Sequence, residues 1–191
     1  MPELYDDSDM KIVGAPQKSA DDVDFQGFLA ESSRQHFNGN IAKAKTLGAN
    51  IVSSFSYRAA PAELVDFVME NGVTPTEDVL LQARFLSVFS AEISLERYLP
   101  SPLLAEIAKS AMYDVLMQFS PDFYNSLARS GAFSFYYMHA GKGDVSDKEV
   151  GRQFAMLCGR GDDPACASLG EKLHRMNTSV YRKAIQGFVF V

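Results

Sequence analysis

The sequence has little of the residue types from which several kinds of site are built. It contains two cysteines, three histidines and no tryptophan among 191 residues. Cys158 and Cys166 are too few for a disulfide scaffold or a zinc site of their own, although they flank a turn across which their thiols could approach. His36, His139 and His174 form no pair at the spacing of helical metal ligands. The sequence therefore predicts no metal site and no cofactor.

The sequence also lacks long apolar runs. None approaches the roughly 18 apolar residues of a spanning helix, and the acidic N-terminal stretch has no apolar centre typical of a secretory signal. We therefore expect a reduced, cytoplasmic protein without a membrane partner. The 24 acidic and 18 basic residues give a net charge of −6, which argues against nucleic acid as a partner.

What the sequence does have is an ordinary globular composition, with 47% hydrophobic and 22% charged residues. Its charge is unevenly placed. Residues 1–24 hold seven acids and two lysines, a local −5, whereas residues 172–191 hold four basic residues and no acid. We expect an acidic N-terminal arm (1–18), one helical domain (19–187) and an apolar C-terminal tail (188–191).

Apolar residues recur with a helical period along nearly the whole domain. Capping and stop signals divide it into about eight helices, so we predict an all-α, compact single-domain bundle. The predicted helices start at Ser19, Asn40, Pro61, Thr76, Pro102, Ser120, Ser146 and Asp163. Ser146 with Glu149 has the pattern of a capping box. Residues 133–137 could pass for a strand on β-propensity alone.

The helix predicted over about 76–98 is apolar on nearly all sides, which is typical of a central helix. Arg84 lies in the middle of the arc formed by Leu81, Val88 and Leu95. Burying a guanidinium there costs several kcal/mol unless it is paired. Arg84 is therefore a candidate anion or carboxylate ligand, or else a partner in an internal ion pair.

The aromatic segment 133–139 is the densest apolar cluster, and it could line a pocket against helix 76–98. Aromatic residues at helical spacing fit a plain core equally well. The candidate ligand-binding residues are Arg84, Glu92, Tyr136, Tyr137 and His139. No nucleophile motif is present, so the sequence names no catalytic residue and leans against an enzyme.

Both ends of the chain carry candidate contact residues. The last helix has a basic face that is either simply solvated or receives the acidic arm of its own or a second chain. Exposed phenylalanines in the tail would be adhesive, so we expect the tail in a groove of its own body or across a dimer interface. The candidate interaction residues are Asp6, Asp7, Asp9, Lys172, Arg175, Arg182, Lys183, Phe188 and Phe190.

Two hypotheses follow. In the first, the protein acts by binding another protein or itself, as a possible homodimer, rather than by catalysis. The alternative is a small-molecule-binding or catalytic helical domain with its pocket between helix 76–98 and segment 133–139.

Overall fold

The computed structural model describes residues 20–53, 62–140 and 146–191; the side chains of residues 20–24, 139 and 140 are not included in this description. The predicted acidic arm and the predicted helix starts at Ser19 and Pro61 lie outside it. Every regular element in the described ranges is an α-helix, which confirms the predicted all-α class.

The described residues form nine helices. They are α1 (Ala20–Phe37), α2 (Asn40–Val52), α3 (Ala62–Glu70), α4 (Glu77–Tyr98), α5 (Pro102–Phe119), α6 (Pro121–Ser130), α7 (Ala132–Ala140), α8 (Asp147–Leu157) and α9 (Pro164–Gln186). Eight helices were expected, and α7 is the additional one. It contains the aromatic segment whose β-propensity would also have allowed a strand. None of these helices combines the length and the hydropathy needed to cross a bilayer.

Several helix ends follow the predicted local chemistry. The Thr76 hydroxyl accepts the Val79 N–H at the start of α4. Asp163 accepts two N–H groups of the first turn of α9, where proline stands next in the sequence. Gly72 ends α3 with a φ of +74°, a left-handed conformation that glycine adopts without strain.

Three predicted side-chain caps are not formed. Gly39, with a φ of +71°, stands at the N-cap of α2, and the Asn40 side chain bonds elsewhere. Ser120 and Ser146 stand at the N-caps of α6 and α8, but neither side chain bonds to the first turn of its helix. Glu149 pairs with Arg152 instead of reaching back to Ser146.

Helix α4 is the centre of the bundle, as predicted, and it contacts α5, α7, α8 and α9. Its buried residues lie on all sides of its axis. The helices α8 and α9 approach closely because Gly170 has no side chain: a Cβ there would stand 2.6 Å from the Phe154 Cβ. A larger residue at position 170 would therefore push α8 and α9 apart.

Candidate functional site

A buried carboxylate is held between three helices. Glu92 of α4 is only 8% exposed. Its Oε1 accepts the Tyr113 hydroxyl of α5 at 2.7 Å, and its Oε2 accepts the Tyr137 hydroxyl of α7 at 3.0 Å. Burial raises the pKa of Glu92, while the two hydroxyl donors and Lys109 act in the opposite direction. Both carboxylate oxygens therefore have a tyrosine partner.

Packing of aromatic rings holds this arrangement in place. The Phe89 ring stacks on Tyr136 with centroids 4.8 Å apart and meets Tyr137 edge-on at 5.2 Å. Phe89 precedes Glu92 by three residues, so the two side chains lie on neighbouring positions of one face of α4. The ring that orients α7 therefore also brings the Tyr137 hydroxyl to Glu92.

The surroundings of this carboxylate are net negative. Lys109 pairs with Glu96 at 2.7 Å and with Glu106 at 2.6 Å. Burial raises the pKa of Tyr137 first, and then Glu92, Glu96 and Glu106 raise it further. The charged groups acting here are thus three carboxylates and one ammonium.

A cleft of about 260 Å³ opens beside Tyr113. It is lined by Tyr113, Tyr124, Leu127, Ala128, Gly131, Phe133 and Ser134. The rings of Tyr113 and Tyr124 meet nearly at right angles, with centroids 6.1 Å apart. Tyr113 therefore has two roles, as a wall of the cleft and as a donor to Glu92. We call Glu92, Tyr113, Tyr137 and this cleft the Glu92 corner.

The five predicted ligand-binding residues do not share one pocket. Glu92 and Tyr137 are in direct contact, but Tyr136 is almost fully buried and its hydroxyl has no hydrogen-bond partner among the described residues. Burial raises the pKa of Tyr136 well above its ordinary value, with smaller effects from Cys158 and Cys166. Tyr136 is therefore a core residue facing the cysteines. The His139 side chain lies outside the described residues.

Arg84 lines a separate cleft of about 430 Å³, near the start of α6. Its guanidinium stands 4.2 Å from the centre of the Phe123 ring, and Asp122 lines the same cleft. Burial lowers the pKa of Arg84. Since Arg84 precedes Glu92 by eight residues, the two are separated by about 12 Å along the helix axis.

A second buried polar group lies on the opposite flank of α4. The His174 Nδ1 of α9 is 2.8 Å from the Ser90 Oγ, and its Nε2 is 3.9 Å from the Asp147 Oδ1. These residue types resemble a Ser–His–Asp triad, but Ser90 has no exposed surface and its hydroxyl donates to the Leu86 carbonyl at 2.7 Å. Burial lowers the pKa of His174 to about 4. We call Ser90, His174 and Asp147 the His174 corner; its serine has no exposed surface on which a substrate could be attacked.

The two cysteines are free thiols, one half-buried and one buried. Burial raises the pKa of both, and the Cys166 thiol adds to the shift at Cys158. Reaction as a thiolate is disfavoured at neutral pH. No group of three or more His, Cys, Asp or Glu residues in the described ranges is placed to hold a metal ion.

The basic face of α9 is partly occupied. Lys172 donates to the Asn71 side chain at 2.7 Å. Arg175 pairs with Asp147 at 3.1 Å and with Glu171 one turn earlier. Arg182 and Lys183 are exposed on the same helix. Their expected counterparts Asp6, Asp7 and Asp9 lie outside the described residues.

Residues 188–191 lie against their own body, one of the two expected arrangements. Phe188 and Phe190 are half-buried against the core with their rings stacked, while Val189 and Val191 are exposed. This alternation is that of an extended segment. The Asn40 side chain holds the segment by donating to the Val191 oxygen and accepting the Val191 N–H.

Three phenylalanines of α1 are exposed to solvent. Phe25 and Phe28 are 61% and 53% exposed, and Phe37 at the other end is 91% exposed. Asn38, just after the helix, donates to the Val191 oxygen at 2.9 Å, which places the tail beside the end of α1. We call the exposed apolar residues of both elements the α1–tail surface; it comprises Phe25, Phe28, Leu29, Phe37, Val189 and Val191.

Comparison of the chain with protein-family models, curated proteins and solved structures finds no match. The function is therefore inferred from the chain's own geometry. The sequence did not single out Tyr113 or Ser90 as site residues, whereas Tyr124 was expected to line a pocket with the aromatic segment and does line the cleft. Tyr113 borders apolar helix positions and Ser90 lies within an apolar helix, so only contacts between helices distinguish them.

Proposed function

We propose that the protein acts by self-association, with a second copy of the chain docking on the α1–tail surface. The observation that carries this proposal is the exposure of three phenylalanines on one helix, which a chain without a partner would leave in water. The Glu92 and His174 corners, by contrast, bind their own partners and need no second chain.

The size of the surface supports a second copy as the occupant. The exposed fractions of Phe25, Phe28 and Phe37 (61%, 53% and 91%) correspond to about 400 Å² of apolar surface per chain. Leu29 and the two valines of the tail add to this area. Phe28 and Phe37 are nine residues apart and lie on opposite sides of α1, so a second copy would have to cover both sides of the helix to bury about 1,000 Å², the size at which specific interfaces begin.

A two-fold axis suits this arrangement, because both chains then present the same patch. Charge adds to the proposal: residues 1–18 directly precede α1 and are acidic, while Arg182 and Lys183 are exposed basic groups of α9. Opposite charges of two chains would steer the encounter, although each exposed pair contributes only about 0–1 kcal/mol.

Light scattering of the full chain after gel filtration tests the proposal. The wild-type protein is expected to have twice its chain mass of 21.0 kDa. The double variant Phe25→Ser/Phe28→Ser is expected to have the mass of one chain, because it removes the two largest exposed groups at the start of the surface. Both positions are exposed, so the helical circular dichroism should persist.

Met156→Ser is the matched control, since Met156 of α8 is 58% exposed and lies outside the surface. It should leave the mass doubled. A wild-type chain with the mass of one chain across the concentration range contradicts self-association. A double variant that stays dimeric contradicts the assignment of the surface.

A further inference from the structure

We infer that the cleft of the Glu92 corner binds a small organic ammonium ion that carries an apolar group. This binding site is independent of the self-association proposed above, since the cleft is lined by α5, α6 and α7 and the α1–tail surface by other elements.

The walls of the cleft suit the apolar part of such a ligand. Tyr113, Tyr124 and Phe133 supply aromatic rings, and Leu127 supplies aliphatic surface. A cation within about 6 Å of an aromatic centroid is attracted to the face of the ring. The near-perpendicular packing of Tyr113 and Tyr124 presents the two rings in different orientations toward the same space.

The hydrogen-bonding groups of the corner favour a donor as ligand. Tyr113 gives its only hydroxyl proton to Glu92, so its oxygen is left with acceptor capacity alone. Donation to a carboxylate also polarises the hydroxyl and increases the negative charge on its oxygen. An ammonium group, which has only donors, matches this oxygen; a carboxylate or phosphate, which needs donors, does not.

The charged groups near the Glu92 corner also favour a positively charged ligand. Glu96 and Glu106 are carboxylates close to the carboxyl group of Glu92, and Lys109 is the one ammonium among the charged groups acting on Glu92 and Tyr137. Lys109 is engaged by Glu96 and Glu106. A cation that reaches the Tyr113 wall therefore meets an attractive field, and an anion meets a repulsive one.

The volume limits the ligand. About 260 Å³ lies just below the roughly 300 Å³ at which pockets for drug-sized molecules begin. A single ring with one ammonium group is the scale that fits.

Three probes of similar shape distinguish the effect of ligand charge from that of the apolar ring. They are benzylamine, which is a cation at neutral pH, benzyl alcohol, which is neutral, and benzoate, which is an anion. Calorimetric titration of the full chain at pH 7.5 should show saturable binding of benzylamine. Affinity for benzyl alcohol should be at least tenfold weaker, and benzoate should not bind. Labelled tyrosine rings should report shifts at Tyr113 and Tyr124.

Two variants locate the binding energy. Glu92→Gln keeps the side-chain shape but removes the acidic group. It should weaken the binding of benzylamine at least tenfold and leave the affinity for benzyl alcohol unchanged. Tyr113→Phe should also weaken benzylamine by removing the acceptor oxygen. Glu70→Gln, an exposed carboxylate of α3, is the matched control and should have no effect. Thermal melting of each variant checks that the fold is retained.

Equal affinity for benzylamine and benzyl alcohol would overturn the inference, as would unchanged benzylamine binding by Glu92→Gln. Absence of saturable binding of benzylamine would also overturn it. So would binding of benzylamine that does not shift the signals of the labelled Tyr113 and Tyr124 rings. None of these results bears on the mass of the assembly, so the two proposals stand or fall separately.

Discussion

Glu92 and His174 are titratable groups buried on the two flanks of α4, and they differ in what surrounds them. In the Glu92 corner, two tyrosines on α5 and α7 satisfy the carboxylate, and one of them lines an open cleft. In the His174 corner, the imidazole meets a serine of α4 itself, with no exposed surface at Ser90 and 2% at His174. One corner has access to solvent through its tyrosines, and the other is sealed.

Burial pushes both groups toward their neutral forms, but the consequences for pH have opposite signs. A buried base is destabilised by acid, whereas a buried acid is destabilised by alkali. A sealed group with local partners is typical of structural polar residues, and a buried ionisable group next to a cleft is typical of binding sites. The same helix therefore carries a structural contact and a candidate site on opposite faces.

The largest expected effect is the loss of stability in acid at the His174 corner. The pKa of His174 falls from 6.5 to about 4 on folding, so the folded chain binds fewer protons than the unfolded chain between these values. The folded state has the full stability associated with neutral His174 above pH 6.5. As the pH falls toward 4, the free energy of unfolding decreases by about 3 kcal/mol because His174 must bind a proton. Asp147 opposes the shift and Arg97 adds to it.

Urea unfolding of wild type and His174→Asn between pH 7 and pH 4 measures this contribution. Asparagine keeps a polar atom for Ser90 and does not titrate, so the variant should lose about 3 kcal/mol less on acidification than wild type. Equal losses in both proteins would show that His174 is not the group responsible.

A smaller effect is expected from Ser90→Ala. The substitution removes the partner of the buried His174 Nδ1 and should cost about 1–3 kcal/mol at pH 7. Ser94→Ala is its matched control, because Ser94 is buried one turn later on the same helix and its hydroxyl bonds to the Ser90 carbonyl. The control should cost clearly less. If thermal or urea unfolding shows that the two variants lose similar amounts of stability, the contact with His174 does not explain the loss in Ser90→Ala.

The smallest effect on stability is expected from Glu92→Gln. Because folding raises the pKa of Glu92, its contribution is present below about pH 4.5 and is lost as the pH rises through the folded value. The amide does not titrate, so the stability of the variant relative to wild type should increase with pH, by less than the change at His174. If the stability of Glu92→Gln relative to wild type instead falls with pH, the two corners do not have opposite pH dependences.

Much of the fold was predictable because its causes are local. The cap at Thr76, the proline and capping aspartate before α9, and the stop at Gly72 depend on residues within one turn of each other. The centrality of α4 followed from its apolar residues on all sides. The cap at Asn40 was mispredicted because its side chain serves a residue 151 positions away, which no local pattern records.

The candidate site was predictable only in part. Glu92 and Tyr137 were both named, since a carboxylate on an apolar helix and a dense aromatic segment are visible in sequence. Their contact, 45 residues apart, was not, and neither was the role of Tyr113. Arg84 was assigned to the same pocket because the rotation of each helix around its own axis was unknown.

The sequence by itself determined most of the helical segments, with α7 as the exception, where most of them begin and end, and which helix is central. These properties follow from backbone capping and the helical period. The tertiary structure alone decided that Glu92 faces two tyrosines, that His174 meets Ser90, and that Phe188 turns inward while Phe25 stays exposed. Each of these depends on which faces of distant helices meet, and a side chain's partner across the core is set by packing rather than by its neighbours in sequence.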